Sequence, residues 1–233
     1  MPPPFKIAKK APFKVSASTL ETEFGANNFL HHLRTFLEKN PDLEIPCNFD
    51  SIQTTFPVYN RVTIYIPPVV QVSKFPISDP IRATRPIPAR DLKKAIPAHF
   101  DTILARPDGP PKRQVKRLSI EGLIPGRVRA IFMLPSEYGV FSTPLAYVEW
   151  YRPLTSRDET LGMFKITAAT RQNQRHASII PVSYINRSCH LIPKYPRLIP
   201  LGITSENALD KVKEFYLNPY LRHIDFVLLR GVE

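Results

Sequence analysis

Glycine is scarce in this sequence, with 8 in 233 residues. Gly25, Gly109, Gly122, Gly126, Gly139, Gly162, Gly202 and Gly231 never fall into the spacing of a phosphate-cradling loop or a dinucleotide fingerprint, which disfavours nucleotide-dependent chemistry. There is no Gly-x-Ser-x-Gly elbow, and no pair of histidines shares a helix face with a glutamate between them. His31 and His32 are adjacent, so they are expected to point to different sides of a helix. The two cysteines, Cys47 and Cys189, lie far apart in a chain that shows no secretory leader, and both are read as reduced. A tetrahedral zinc site at Cys189-His190 would need two more ligands that no nearby residue supplies, so a buried structural Cys is expected there. No window approaches the roughly 18 apolar residues of a membrane-spanning helix. A nuclear or cytoplasmic, non-secreted, non-membrane protein is expected. Lys6, Lys9, Lys10 and Lys14 are too spread to define a nuclear address.

Acidic residues are few, 20 against 32 Lys and Arg, and scattered as singles: Asp50, Asp79, Asp101, Asp158, Asp210 and Asp225. Two-metal nucleic-acid chemistry needs two or three carboxylates to converge. Asp101 and Asp225 sit inside or beside apolar runs, where a carboxylate satisfied by backbone or by arginine is the commoner arrangement. The expectation is a non-catalytic chain with no cofactor, no metal and no small-molecule substrate. The net charge of +12 favours a polyanionic partner.

What the sequence has in excess is proline, 26 residues, which is excluded from helix interiors and central strands. Short strands and extended loops are therefore expected around a sizeable core, since 43% of the residues are hydrophobic. Residues 1–26, rich in proline and lysine at the start, read as a flexible basic arm. Phe29, Leu30, Leu33, Phe36 and Leu37 repeat at helical spacing, with Asn27 or Asn28 as cap and Asn40-Pro41 as stop. Val58, Val62, Ile64 and Ile66 predict one strand ending at Pro67-Pro68. Residues 67–97, with seven prolines, read as an irregular connection closing a first region, 27–97, before a β domain over 98–233. Within it, His99–Ala105, Arg127–Leu134, Leu145–Tyr151, Met163–Ala168 and Ser178–Ile185 predict short strands of an α+β protein: a small, mostly antiparallel β-barrel with a few packed helices. Its core is expected at Val128, Ala130, Phe132, Val148, Trp150, Phe164, Ile166, Ile180, Val182 and Ile185. A last helix is predicted from Thr204 or Ser205 through Leu209, Val212, Phe215 and Tyr216 to Asn218-Pro219, and a last strand over Ile224–Leu229.

Between Arg82 and Arg117 ten Lys and Arg face only Asp91, Asp101 and Asp108. Such a stretch neutralises phosphates without reading bases, so Arg82, Arg85, Lys93, Lys94, Lys112, Arg113, Lys116 and Arg117 are candidate nucleic-acid contacts. Arg127 and Arg129, one strand face away from Val128 and Ala130, are expected to extend the patch. Most aromatics of the β domain must be core, but Tyr138, Tyr147 and Tyr151 are candidates for an aromatic pocket at a loop rim that takes a methylated lysine. DNA or chromatin is the expected partner, with a histone-reading module as the alternative.

The ordered run Pro97–Leu104, Gly126–Pro135, Leu145–Tyr151, Ile179–Val182, Arg187–Lys194 and Phe215–Tyr220 resembles the C-terminal region of Plavaka-type transposase-like proteins of mushroom-forming fungi, over roughly residues 28–229. Those proteins look like cut-and-paste transposases with an acidic catalytic core upstream of this region. The resemblance implies a transposon-derived accessory domain or a vestigial remnant, with a transposase as a further candidate partner. Tyr147–Thr155 and Ile180–Ile185 are similar to parts of the bromo-adjacent homology domain, a β-rich chromatin module.

Overall fold

Apolar residues in the N-terminal third alternate, and the alternation is realised as pairing. In the computed structural model, which describes residues 4–46, 49, 54–90, 94–110, 119–196 and 201–230, the chain runs β1 (Phe5–Ile7), β2 (Phe13–Ser16), α1 (Ala17–Phe24), α2 (Phe29–Glu38), β3 (Thr55–Tyr59), β4 (Arg61–Ile66) and β5 (Ile77–Thr84). It continues β6 (His99–Phe100), β7 (Thr102–Ala105), β8 (Ile124–Phe132), β9 (Leu145–Trp150), β10 (Lys165–Thr167), β11 (Thr170–Arg171), β12 (Gln174–Arg175), β13 (Ala177–Pro181), β14 (Ile185–Cys189), β15 (Leu191–Pro193), α3 (Ala208–Lys211), β16 (Glu214–Leu217) and α4 (His223–Arg230).

The strands form open antiparallel sheets, and no closed barrel is seen among the described residues. The largest runs β13-β9-β8-β3-β2. Its strand β8 is shared at one edge, with β3 on its Ile131–Phe132 end and β7, then β14, on its Ile124–Arg127 end. A second sheet runs β1-β4-β5-β6, and a third β10-β16-β15.

Several sequence expectations are corrected here. The first residues are not a free arm: Phe5–Ile7 pairs with β4, and Phe13–Ser16 pairs with β3. Their apolar residues turn inward while Lys6 and Lys14 stay exposed, a disposition that suits edge strands. The single strand predicted across Val58–Ile66 is two, because the chain leaves one sheet for the other at the exposed Asn60. Residues 67–97 contain β5, which pairs with β4 over six positions despite Pro80. Its other neighbour, β6, reaches only Ala83 and Thr84, so Pro80 occupies an edge where a missing N–H is tolerated. Ile81 and Ala83 belong to the same core cluster as Phe132 and Val148, so the expected division near residue 97 does not divide the core.

At the C-terminus the two predictions exchange places. The expected helix stops at Lys211, and Glu214–Leu217 is a strand between β10 and β15, with Phe215 and Leu217 buried in alternation. The expected strand over 224–229 is α4, which buries Ile224, Val227 and Leu228 at spacings of three and four. Short apolar runs fit either period, and the packing surface decides. All ten expected core residues are buried, with Phe164 and Ile166 in a second cluster beside Tyr151, Phe215 and Leu228.

One polar knot ties the sheets together. Asp79 on β5 is 3% exposed and accepts from the Ser188 N–H and hydroxyl of β14, each at 2.7 Å, and from Arg222 Nη1 at 2.8 Å. Arg222 also donates to both Asp225 oxygens, at 2.7 and 3.0 Å, and to the Ser188 carbonyl. Arg187 Nη1 lies 3.7 Å from Asp225.

Two stability outcomes are expected in denaturant melts. Trp150→Ala loses about 3–5 kcal/mol through the cavity it leaves, and a wild-type melt would remove Trp150 from the core. Asp79→Ala loses about 1–3 kcal/mol because the Ser188 N–H and hydroxyl lose their acceptor and Arg222 keeps only Asp225; an unchanged midpoint would mean that the knot is not structural.

Candidate nucleic-acid interface

Most of the arginines expected to meet phosphate are engaged within the protein. Arg82 donates to Asp101 from its backbone N–H, Nε and Nη2, at 2.8, 3.1 and 3.2 Å, although its side chain is half exposed. Arg85 is paired with Glu23 and lies over the Phe13 ring. Arg127 donates to Asp210 at 2.6 Å, while Arg129 donates to Glu149 and Asp210, each at 2.8 Å, and both guanidiniums stack on Phe100. Arg129 falls at a bulge between Val128 and Ala130, where β8 loses register with β9. The strand face expected to extend a basic patch is thus a buried ion-pair cluster. Lys94 is exposed, whereas Lys93, Lys112, Arg113, Lys116 and Arg117 lie outside the described residues.

The three candidate cage tyrosines are core residues, each 1% exposed, because large rings are where a β-rich core finds its apolar volume. Tyr138 stacks on Phe56, and Tyr147 donates its hydroxyl to the Asn27 carbonyl at 2.6 Å, with burial pushing that hydroxyl's pKa up. Tyr151 lies beneath the Arg175 guanidinium, 4.5 Å from the ring centroid. Asp101 and Asp225 are held by arginines, as the sequence implied. Cys189 is a partly buried thiol, not the fully buried one expected, and desolvation pushes its pKa up to about 12, while His190 meets Asn218 at the surface.

Cations without carboxylate partners line a groove that the sequence did not reveal. One wall is α2. Its stripe Asn28, His32, Thr35, Phe36 and Lys39 recurs at helical spacing, with His31 beside it. The other wall is the β11–β12 hairpin and β13, with Arg171, Gln174, Arg175, His176 and Ser178. The hairpin turns on Gln172 and Asn173, both left-handed at φ 50° and 61°, the pair of positive angles that a tight two-residue turn requires. Asn28 Nδ2 donates to Gln174 Oε1 at 3.0 Å and closes one end of the groove. The first turn of α2 is secured by Glu21, which accepts from the Phe29 N–H, and its last turn by Asn40, which donates to the Phe36 carbonyl.

This stretch has a volume of about 470 Å³ and no acidic residue in its lining. Among the described residues, Lys39 and Arg171, both exposed, make no ion pair, and Arg175 Nε is buried without a hydrogen-bond partner. His31 and His32 both face the groove, contrary to expectation, with ring centroids 5.4 Å apart. Neighbours on a helix are separated by about 100°, and a groove this broad receives both. The groove continues past Phe36, Lys39, His176, Ser178 and Ile179 into a deeper pocket of about 570 Å³ that reaches Pro107 and Asp108. Only a faint sequence signal marked it: Arg171, Arg175 and His176 cluster without an acid, but Lys39 and the α2 histidines are more than 130 residues away.

His32 is held neutral. Desolvation, followed by the nearby charges of His31 and His176, lowers its pKa from 6.5 to about 4, and desolvation also lowers that of His176. In that window the unfolded chain binds more protons than the folded one, so stability present above pH 6.5 is lost as pH falls through about 4. His32→Phe, which keeps a ring against Tyr147, is expected to reduce the fall in denaturant midpoint between those pH values, with His176 leaving a residual slope. A pH dependence identical to wild type would remove His32 as its source.

No protein-family model, no curated protein and no solved structure matches this chain.

Proposed function

We propose that the chain is a non-catalytic nucleic-acid-binding module whose phosphate-binding surface is the groove between α2 and the β11–β13 segment. The observation that carries the reading is the contrast in how positive charge is used. Arg82, Arg85, Arg127, Arg129 and Arg222 face carboxylates, whereas Lys39 on one wall and Arg171 and Arg175 on the other line a stretch of the groove with no acid in its lining. Like charges held together in a concavity raise the local potential and draw a polyanion, and phosphates neutralise them without displacing an internal partner. The groove ends at Pro107 and Asp108, from which the chain passes through Gly109-Pro110 to the segment carrying Lys112, Arg113, Lys116 and Arg117. That basic segment is the second element of the proposed surface.

The ordered resemblance to the C-terminal region of Plavaka-type transposase-like proteins supports the same reading, that of a transposon-derived accessory domain acting on DNA in a nuclear setting. The histone-reading alternative draws no support from Tyr138, Tyr147 or Tyr151, which are buried.

Titrating a labelled oligonucleotide at several salt concentrations tests the assignment. Each phosphate contact contributes a slope of about −0.7 to −0.9 in log affinity against log salt. Lys39→Ala with Arg171→Ala is expected to flatten the slope by about 1.4 to 1.8, with melting unchanged because both side chains are exposed and unpaired. Replacing Lys112, Arg113, Lys116 and Arg117 by Ala is expected to flatten it by roughly three to four units. Unchanged slopes in both variants would refute the proposal.

A further inference from the structure

Beyond His176 the groove gains apolar residues, while polar groups, Lys39 and Asp108 among them, still make up about half of its lining. The pocket of about 570 Å³ beyond His176 is walled by Phe36, Ile124, Trp150, Ile179, Pro181 and Tyr184. Its size falls within the usual range for small-ligand pockets, about 300–1,000 Å³. Its apolar residues accept the flat faces of a heterocycle, and the Asp108 carboxylate in the same lining disfavours a phosphate there.

Polar groups with unspent capacity stand among those walls. Ser178 Oγ accepts from Trp150 Nε1 at 2.7 Å and retains its own hydrogen to donate. Asn40 uses its Nδ2 on the Phe36 carbonyl, leaving Oδ1 without a donor. The His176 ring and the Tyr184 hydroxyl have no hydrogen-bond partner among the described residues. Donors and acceptors held in a partly apolar slot, directly continuous with unpaired cations, match a nucleotide unit: base in the pocket, phosphates along Lys39, Arg171 and Arg175. A base paired within a duplex cannot enter such a pocket without being unstacked and unpaired.

We infer that the groove binds single-stranded nucleic acid, with one unstacked base in the Trp150–Tyr184 pocket. The inference rests on the phosphate-binding reading of the groove and adds the form of nucleic acid it takes.

The test uses the full chain and three labelled probes of equal charge: a single-stranded oligothymidylate of about twelve nucleotides, within the length range that one single-strand-binding fold covers; an abasic deoxyribose-phosphate oligomer of the same length; and a self-complementary hairpin duplex. Affinity is read by fluorescence anisotropy and pocket occupancy by the emission of Trp150, the one tryptophan of the chain. The expected result is that the base-bearing single strand binds about tenfold more tightly than the abasic oligomer and than the duplex, and that it alone changes the tryptophan emission. Equal affinities for the base-bearing and abasic strands, without a change in emission, would overturn the base pocket and leave the phosphate groove standing. Tighter binding of the duplex would overturn the single-strand assignment. Failure of all three probes to bind would overturn the groove itself.

Discussion

Asp79 is the point on which the packing of separate sheets depends. Its carboxylate, on β5 of one sheet, is bonded to β14 of the large sheet and to Arg222, which leads into α4. A buried carboxylate is tolerated only when its lone pairs are filled by donors in good geometry, so these elements must arrive together or not at all. A parallel role falls to Asp210, beside α3's close, which draws Arg127 and Arg129 of β8 toward the third sheet.

This use of arginine determines which cations are left without a carboxylate partner among the described residues. A guanidinium engaged by two carboxylates and stacked on Phe100, as Arg129 is, has its donors directed inward. Total charge therefore says little about the surface field. What matters is which cations lack a carboxylate partner, and among the described residues of the groove they are Lys39, just past the end of α2, and Arg171 and Arg175 on the hairpin. Trp150 joins the two functions of that region: it packs in the main core, its Nε1 is bonded to Ser178, and it lines the pocket beyond the cations.

The histidines add a chemical consequence. At neutral pH His32 is uncharged because burial removes it from water, so the positive charge of the groove rests on lysine and arginine. The same burial makes the α2 wall sensitive to acid, since protonation of His32 would place a charge on a ring packed against His31 and Tyr147.

The sequence by itself determined the core and the local periods. Val128, Ala130, Phe132, Val148 and Trp150 are buried as their alternation required, and α2 begins and ends within two residues of its Asn signals, because such patterns depend only on neighbours a few residues away. It also indicated that Asp101 and Asp225 would be satisfied by backbone or by arginine, and arginine is the partner each has. The tertiary structure decided everything that depended on partners distant in sequence. Glu214–Leu217 became a strand because β10 and β15 stood ready on either side, and Ile224–Leu229 a helix because no such neighbours did. Tyr138, Tyr147 and Tyr151 went inside, and Arg127 and Arg129 found Asp210 more than 80 residues away. The groove joins Lys39 to Arg171 across an even longer interval of chain, and a juxtaposition of that range leaves no trace in a pattern of adjacent residues.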